Sequence, residues 1–312
     1  MSKVAVIGVG GWGKNHARVL NELQALSVIC DKDAVLAKEA AKKYGVNSYS
    51  NIEEMLEKES ELDACMVCTP IKTHYEITKM LIDKGMHVFV EKPLSFSSEE
   101  CEKMMKQALE KNVVLTAGYI ERFNPAVQYA KRLIDEKKYG DLFMMEFHRE
   151  NRMPAQSLDV GIIYDITVHD IDAAMFLFGS RPEVVFARAG KKLHPYEDFA
   201  TIMLGFSNQR VAVIASNWLT PNKIRTFSAV CTDGIITGNY ILQEVKIDHG
   251  EATIFPRIEL KEPLMLELSH FLDVIAGRRK EPLVSAADAT YVTRIAEAAI
   301  LSNQTGKPIS LK

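Results

Sequence analysis

The first 120 residues alternate short apolar runs with helical patterns, and this alternation constrains the fold more than any other feature of the chain. Lys3 to Ile7, Ala25 to Cys30 and Ala64 to Cys68 are apolar runs of strand length. Alanines at helical spacing follow the second run, between Asp33 and Lys43. Strands and helices that alternate with short connections form parallel sheets flanked by helices. The sequence therefore predicts a doubly wound α/β domain over residues 1–120.

The pattern changes after Gly118, where runs of strands separated by Gly, Asn and Pro turns replace the alternation. The strands expected in this half cover 141–149, 184–188, 199–205, 210–216, 226–231 and 241–247, and the expected helices cover 125–137, 169–177, 264–276 and 286–304. Successive strands without intervening helices favour a mostly antiparallel, open sheet. We therefore expect a second, α+β domain over residues 121–312.

A glycine-rich loop joins the first predicted strand to the first predicted helix. Gly8, Gly10 and Gly13 match the G-x-G-x-x-G spacing, which permits a tight turn, close backbone approach to a pyrophosphate and close helix–strand packing. The pyrophosphate is expected on the free amides at the start of the helix. The loop residues predicted to bind the cofactor are Gly8, Gly10, Gly11, Trp12 and Gly13. The first domain is therefore predicted to be a dinucleotide-binding Rossmann domain.

Asp31 follows the second predicted strand, where a carboxylate accepts hydrogen bonds from the adenosine ribose hydroxyls of a dinucleotide. A carboxylate there repels the 2′-phosphate of NADP, so the sequence favours NAD, although the neighbouring Lys32 weakens this preference. The alternative is a purely structural glycine turn with Asp31 in solvent.

Charge and composition exclude several classes of partner. The 312 residues suffice for two domains, and 38 Lys and Arg against 41 Asp and Glu give a net charge of −3. This balance does not favour a nucleic-acid partner. No apolar stretch approaches the ~20 residues of a membrane helix, and a strand beginning at Lys3 leaves no room for a signal peptide. We therefore expect a cytoplasmic protein that binds neither nucleic acid nor membrane.

Cys65 and Cys68 have the C-x-x-C spacing found in metal and redox sites. They lie within an apolar run, however, and residues three apart on a strand point to opposite faces. No second pair follows at zinc-ribbon spacing. Buried free cysteines usually behave as small hydrophobic residues, so we expect no metal site and a reducing compartment.

Polar residues follow two further predicted strands at their carboxyl ends, where open α/β sheets bind ligands. Lys92 comes two residues after the apolar run 86–90, and a rigidly held cation beside a dinucleotide indicates redox chemistry. A lone histidine near a helix start, such as His74, is also commonly structural. The residues predicted to complete the cofactor site are Thr69, Pro70, His74, Glu91 and Lys92.

Together with a later Asp165-x-x-x-His169, these motifs resemble the Gfo/Idh/MocA family of NAD(P)-dependent oxidoreductases (glucose–fructose oxidoreductase, inositol dehydrogenase, rhizopine catabolism) over essentially the whole chain. The resemblance implies a Rossmann domain followed by an α+β domain whose open sheet forms substrate pockets and subunit interfaces. It also implies a homodimer or homotetramer.

One segment departs from the family pattern. Where three glycines are usual, the chain has Asp159-Val160-Gly161, and Thr167 stands where a glycine usually precedes the histidine by two residues. This segment and Gly118 to Pro125 resemble the branch that oxidises UDP-N-acetylglucosamine at C3. The resemblance therefore implies a UDP-sugar as substrate.

The catalytic residues implied by the resemblance are Lys92, Asp165 and His169. His169 is expected to accept the hydroxyl proton, since an imidazole exchanges protons near neutral pH. Lys92 is expected to stabilise the developing alkoxide, and Asp165, four residues before the histidine, orients it if the segment is helical. The structural alternative is a helix-start histidine bonded to Asp165 or Asp172.

The residues expected to contact substrate are Arg122, Asn124, Arg149, Arg152 and His169. A guanidinium fork matches the geometry of phosphate. Each arginine could equally be a charged surface residue that contacts no substrate. Asp170 is expected to be a solvated acid in the first turn of its helix. Two alternatives stay open for the function: a dehydrogenase of a free sugar or inositol, and a non-catalytic NAD-binding sensor.

Overall fold

The structure, a computed structural model, describes residues 2–153 and 160–312. The chain divides into two compact units. Unit 1 comprises the chain up to Tyr119 together with Leu264–Thr290. Unit 2 comprises Ile120–Pro263 together with Tyr291–Lys312.

The secondary structure elements are numbered in chain order. The helices are α1 (Gly13–Glu22), α2 (Ala34–Tyr44), α3 (Ile52–Lys58), α4 (His74–Asp83), α5 (Ser98–Glu110), α6 (Pro125–Asp135), α7 (Val168–Phe178), α8 (Pro263–Ile275) and α9 (Ala286–Thr305). The first six strands are β1 (Val4–Ile7), β2 (Leu26–Cys30), β3 (Asn47–Tyr49), β4 (Ala64–Val67), β5 (His87–Val90) and β6 (Leu115–Ala117). The later strands are β7 (Leu142–Arg152), β8 (Val184–Gly190), β9 (Phe199–Gly205), β10 (Val211–Asn217), β11 (Leu219–Cys231), β12 (Gly234–Asn239), β13 (Glu244–His249), β14 (Ala252–Ile254) and β15 (Ile309–Ser310).

Unit 1 is built on a six-stranded parallel sheet with the strand order β3-β2-β1-β4-β5-β6. Strands β1 and β4 are buried along their whole length, as expected for apolar strands that are covered on both faces. This strand order belongs to the doubly wound dinucleotide-binding fold. The predicted α/β domain is confirmed.

Local capping signals explain where several helices of unit 1 begin and end. The Asp33 carboxylate accepts the backbone N–H groups of Val35 and Leu36 at the start of α2, and Gly45 ends that helix with φ of +69°. The Ser97 hydroxyl caps α5 in the same way. Because these signals are local in the sequence, α2 spans nearly the same residues as the alanine pattern between Asp33 and Lys43.

Unit 2 contains a nine-stranded sheet with the order β14-β13-β12-β11-β7-β10-β9-β8-β15. Among its described strands, only β7 and β10 pair in parallel, so the sheet is mostly antiparallel, as predicted. One face is apolar and buried, with Phe147, Ile214 and Phe227 at most 1% exposed. Helices α6 and α7 pack against the sheet, and α7 carries His169, the predicted base.

The segment Leu264–Thr290 belongs with unit 1, although the division predicted from the sequence assigned it to the second domain. Two contacts inside unit 1 explain its position. The Phe271 ring of α8 meets Phe89 of β5 edge-on, with ring centroids 5.7 Å apart, and the Thr116 hydroxyl of β6 donates to the Val284 carbonyl at 2.7 Å.

Two further findings concern single elements. The strand expected over 241–247 begins instead at Glu244, because residues 240–243 form a turn after β12. Among the helices within the described residues, none is both long and apolar enough to cross a membrane.

Candidate active site

The glycine loop between β1 and α1 leaves space for a pyrophosphate. Gly8 has φ of +87°, and a Cβ at Gly13 would lie 1.8 Å from the Gly8 carbonyl oxygen, so both positions require glycine. A Cβ at Gly10 or Gly11 would meet nothing within 4 Å. Within the described part of the chain, the N–H groups of Gly10, Gly11 and Trp12 make no backbone hydrogen bond. Free amides at a helix start fit an anionic diphosphate.

Asp31 lies at the end of β2 and ties the glycine loop to the next turn. Its carboxylate accepts the Val9 N–H at 2.8 Å and the Asp33 N–H at 3.0 Å. The side chain is half-buried rather than free in solvent. A carboxylate has about four acceptor sites, so Asp31 retains capacity to accept ribose hydroxyls, and the loop residues together with Asp31 fit NAD.

Lys92 follows β5, and its neighbour Glu91 contacts His16, a residue that the sequence analysis did not identify. His16 of α1 is fully buried, and its Nε2 lies 2.6 Å from Glu91 Oε1. The other Glu91 oxygen accepts the Lys92 N–H at 3.1 Å. The Lys92–Pro93 peptide bond is cis, and Lys92 is half-buried. Glu91 therefore positions the lysine backbone, whereas the sequence assigned it to the cofactor.

His74 connects the two strand ends that carry Thr69 and Lys92. Its ring is 1% exposed, with Nδ1 3.0 Å from the Pro93 carbonyl oxygen and Nε2 2.8 Å from the Thr69 carbonyl oxygen. Burial lowers the pKa of His74, and the two carbonyl contacts offset part of that effect. These contacts make His74 a positioning residue; Thr69 is half-buried and Pro70 exposed beside it.

The Asp-x-x-x-His motif spans a π-helical turn, Ile163–Thr167, and the start of α7. Throughout residues 161–170, all of which are described, only Asp165 and His169 escape full burial. Side chains four apart on a helix lie on the same side, and single π-helical turns are frequent at functional sites. The motif therefore presents one acid and one imidazole from a segment that is otherwise buried.

The departure from the family pattern has a structural counterpart at Gly161 and Thr167. A Cβ at Gly161 would lie 2.1 Å from the Glu197 carboxyl group, and the Glu197 carbonyl accepts the Ile162 N–H at 2.9 Å. The buried Thr167 hydroxyl donates to the Ile162 carbonyl at 3.1 Å. Asp159 lies outside the described residues. The threonine thus braces the turn that precedes His169.

Arg149 and Asp170 form the centre of a buried ionic cluster in unit 2. The Arg149 fork donates from Nε and Nη2 to Asp170 at 2.8 and 2.9 Å, and from Nη1 to Glu121 at 3.0 Å. Burial lowers the pKa of Arg149, but Asp170 and Glu121 raise it by more, so the guanidinium stays charged. Its donors are directed at carboxylates, which assigns Arg149 a structural role instead of the expected substrate contact. Asp170 is fully buried, not solvated as expected.

Arg122 and Asn124 are likewise engaged inside unit 2. Arg122 donates from Nε and Nη2 to Asp172 at 2.7–3.0 Å and is 4% exposed. The Asn124 side chain accepts the Ala126 N–H to cap α6 and donates to the Tyr240 carbonyl. These contacts favour structural roles over the expected substrate contacts.

Arg152, the remaining arginine of the predicted substrate set, ends β7 and is exposed.

The C-x-x-C pair, Cys65 and Cys68, lies in and just after β4. Burial raises the pKa of the Cys65 thiol to about 12 and that of Cys68 well above its usual value. Thiols that remain protonated are poor nucleophiles and metal ligands.

Comparison with known proteins agrees with this geometry. Residues 2–119 match the Gfo/Idh/MocA oxidoreductase family, NAD-binding Rossmann fold, and residues 127–237 match the GFO/IDH/MocA C-terminal domain. UDP-N-acetylglucosamine 3-dehydrogenase of Acidithiobacillus ferrooxidans is 27% identical over 287 residues, which cover 89% of this chain and 90% of that protein. A structure of that enzyme matches with a TM-score of 0.90 at 25% identity, covering 97% of this chain and 98% of the other. The scyllo-inositol 2-dehydrogenase (NAD(+)) of Bacillus subtilis is 27% identical over 330 aligned positions, 99% of this chain and 96% of that protein.

The fold, the glycine loop and the similarity to known proteins all define an NAD-binding oxidoreductase. The cofactor predicted from Gly8–Gly13 and Asp31 is thereby confirmed as NAD. The chain belongs to the Gfo/Idh/MocA family, and its relatives include NAD-dependent sugar and inositol dehydrogenases.

Proposed function

We propose that the protein oxidises a ring hydroxyl of a nucleotide-activated amino sugar, specifically C3 of UDP-N-acetylglucosamine, to the 3-keto sugar. The observation that carries the proposal is the pair Asp165 and His169, presented together from a segment that is otherwise buried. The similarity to the A. ferrooxidans enzyme, which extends over 89% of this chain, supports the choice of UDP-N-acetylglucosamine as the proposed substrate.

The proposed chemistry assigns one task to each side chain. Oxidation of a secondary alcohol removes a hydride from carbon and a proton from oxygen, and bound NAD supplies the hydride acceptor. His169 takes the hydroxyl proton as general base, which typically contributes about 10²–10⁴-fold in rate. Asp165 orients the imidazole and balances the charge that it gains. Lys92 donates a hydrogen bond to the oxygen and stabilises its developing negative charge.

Two other functions make different predictions. A dehydrogenase of free inositol is favoured by the similarity to the B. subtilis enzyme, which covers 99% of this chain. Such an enzyme turns over a polyol without a diphosphate. A non-catalytic sensor binds NAD without turnover, and the retention of Lys92 and His169 argues against it.

A double-mutant cycle on kcat tests the assigned chemistry. Lys92→Met is expected to lower kcat strongly while the Kd for NAD changes little, because the ammonium acts on the reacting oxygen. If Lys92 and His169 act on the same hydroxyl, the loss in the double variant Lys92→Met, His169→Ala is smaller than the product of the single losses. Independent, multiplicative losses would contradict the shared role.

We also propose that the open face of the unit 2 sheet forms the subunit interface of a homodimer or homotetramer. One row of paired residues crosses six strands on this face without a polar side chain, and it consists of Val184, Gly205, Val211, Met144, Val230 and Ile235. None of the six is fully buried, and Val184 and Ile235 are 37% and 39% exposed. A solvated sheet face is normally polar, so this row favours burial against a second copy.

The oligomeric state tests this interface. In light scattering coupled to size exclusion, the wild type is expected at twice or four times 35.0 kDa. Val211→Glu places a charge in the middle of the row and is expected to give monomers. The matched charge change Val35→Glu, at a site 68% exposed on α2, should leave the assembly intact. A monomeric wild type would contradict the proposal.

A further inference from the structure

Two cations on β11 of unit 2, Lys223 and Arg225, stand apart from the ion pairs described above. Arg225 is half-buried, and its Nε atom is buried without a hydrogen-bond partner within residues 2–153 and 160–312. Lys223, two residues earlier on the same strand, is exposed. A buried guanidinium N–H group without an acceptor is costly in free energy, so its presence requires an explanation.

Neighbouring positive charge makes the positions of Lys223 and Arg225 still less favourable in free energy. Arg225 lies directly opposite Arg149 in the antiparallel pairing of β11 with β7, and like charges in such positions repel. Burial and then Arg149 lower the pKa of Arg225; Arg225 is the main cause that lowers the pKa of Lys223. The carboxylates that bind Arg149 only partly offset this positive charge.

The same pair lies beside helix α7. Arg225 lies opposite Arg149, whose guanidinium binds Asp170 in the first turn of α7, directly after His169. Lys223 lies two residues before Arg225 on the same strand, β11, so both cations belong to one region of unit 2. An anion bound there would satisfy the guanidinium and stand close to the Asp165–His169 pair.

We infer that Lys223 and Arg225 form a subsite for the diphosphate of a nucleotide-activated substrate. Arg225 supplies a planar fork that can bind two phosphate oxygens, and Lys223 supplies a mobile point charge. A neutral polyol would leave both charges uncompensated, whereas a diphosphate neutralises them. The inference rests on the proposed function and names the residues that recognise its nucleotide part, in place of Arg122 and Arg149.

Calorimetric titration of the NAD-loaded protein with UDP tests the subsite without requiring turnover. The variants are Arg225→Gln, the conservative Arg225→Lys and Lys223→Ala, and Lys138→Ala removes one exposed positive charge elsewhere in unit 2 as a control. Arg225→Gln is expected to weaken UDP binding about tenfold or more, and Lys223→Ala several-fold, since bonds to charged groups are the strong ones. Arg225→Lys should retain part of the affinity, and Lys138→Ala all of it.

A separate titration with NAD distinguishes the substrate diphosphate from that of the cofactor. The Kd for NAD is expected to stay the same in every variant, and urea unfolding followed by the fluorescence of Trp218, which is 1% exposed in unit 2, shows that the variants are folded. Equal UDP affinity in Arg225→Gln, Lys223→Ala and wild type would overturn the subsite but leave the proposed function intact. If the variants lose affinity for NAD and for UDP in parallel, the two cations bind the cofactor, and the substrate subsite is overturned as well. If the wild type fails to bind UDP, the nucleotide-sugar function itself fails.

Discussion

Replacement of Arg149 by methionine is expected to destabilise unit 2 by about 3–5 kcal/mol, the typical cost of breaking a buried ion pair. Arg149 is 1% exposed, and its partners Asp170 and Glu121 are 0% and 8% exposed. Methionine fills much of the same volume but removes three charge-assisted hydrogen bonds of 2.8–3.0 Å. Two carboxylates would then remain buried without their cation, which is the main source of the cost.

The two tryptophans allow this loss to be assigned to unit 2. Trp218 is 1% exposed in unit 2, whereas Trp12 is 48% exposed in the glycine loop of unit 1. In a Trp12→Phe background, urea unfolding followed by fluorescence therefore reports on unit 2 alone. Arg257→Met, at an exposed loop position, is the matched control and should change the free energy of unfolding by no more than about 0.5 kcal/mol.

Two results would separate a structural from a substrate-binding role of this arginine. Removal of the whole charged set, in the triple variant Glu121→Gln, Arg149→Met, Asp170→Asn, should recover a large part of the lost stability, because no buried charge is left unpaired. A loss below about 1 kcal/mol in Arg149→Met, combined with weakened binding of UDP, would refute the structural assignment.

Three further substitutions or conditions test other parts of the site. His169→Ala is expected to lower kcat by about 10²–10⁴-fold with little change in the Kd for NAD, measured by Trp12 fluorescence; equal loss of both would make His169 structural. Asp31→Ala should relax the preference for NAD over NADP in the ratio of kcat/KM values, and an unchanged ratio would remove Asp31 from the ribose site. Burial lowers the pKa of His87 and His270, and each ring accepts a backbone N–H, so protons bind preferentially to the unfolded chain. The free energy of unfolding should therefore fall as the pH drops below about 6.5; His87→Asn, which keeps an acceptor near Nδ1, should show a shallower fall, and an identical slope would contradict this reasoning.

The sequence was sufficient for the Rossmann fold of residues 1–120 because its signals are local. Apolar runs, caps such as Asp33 and glycines at fixed spacing each act within a few residues. Strand β12 was not predicted, because Gly234, Gly238 and Asn239 resemble a turn. In the structure, Gly238 pairs with Phe227 of β11 and makes room for its ring, since a Cβ would lie 2.1 Å from a ring carbon.

Long-range contacts account for what the sequence did not reveal. The pairing of His16 with Glu91 joins residues 75 positions apart, and that of Arg149 with Asp170 joins residues 21 apart. No periodicity or short motif indicates such pairs. Arginine next to a predicted ligand site is equally compatible with phosphate binding and with a buried ion pair, and only burial separates the two.

The most direct test of the account is NADH formation, followed by absorbance, when the purified protein is mixed with NAD and UDP-N-acetylglucosamine. Free N-acetylglucosamine, glucose and myo-inositol are the controls, and a carbonyl trap draws an unfavourable oxidation forward. The account predicts turnover with UDP-N-acetylglucosamine and little or none with the free compounds. Turnover with a free sugar or inositol alone, or tight NAD binding without any turnover, would contradict it.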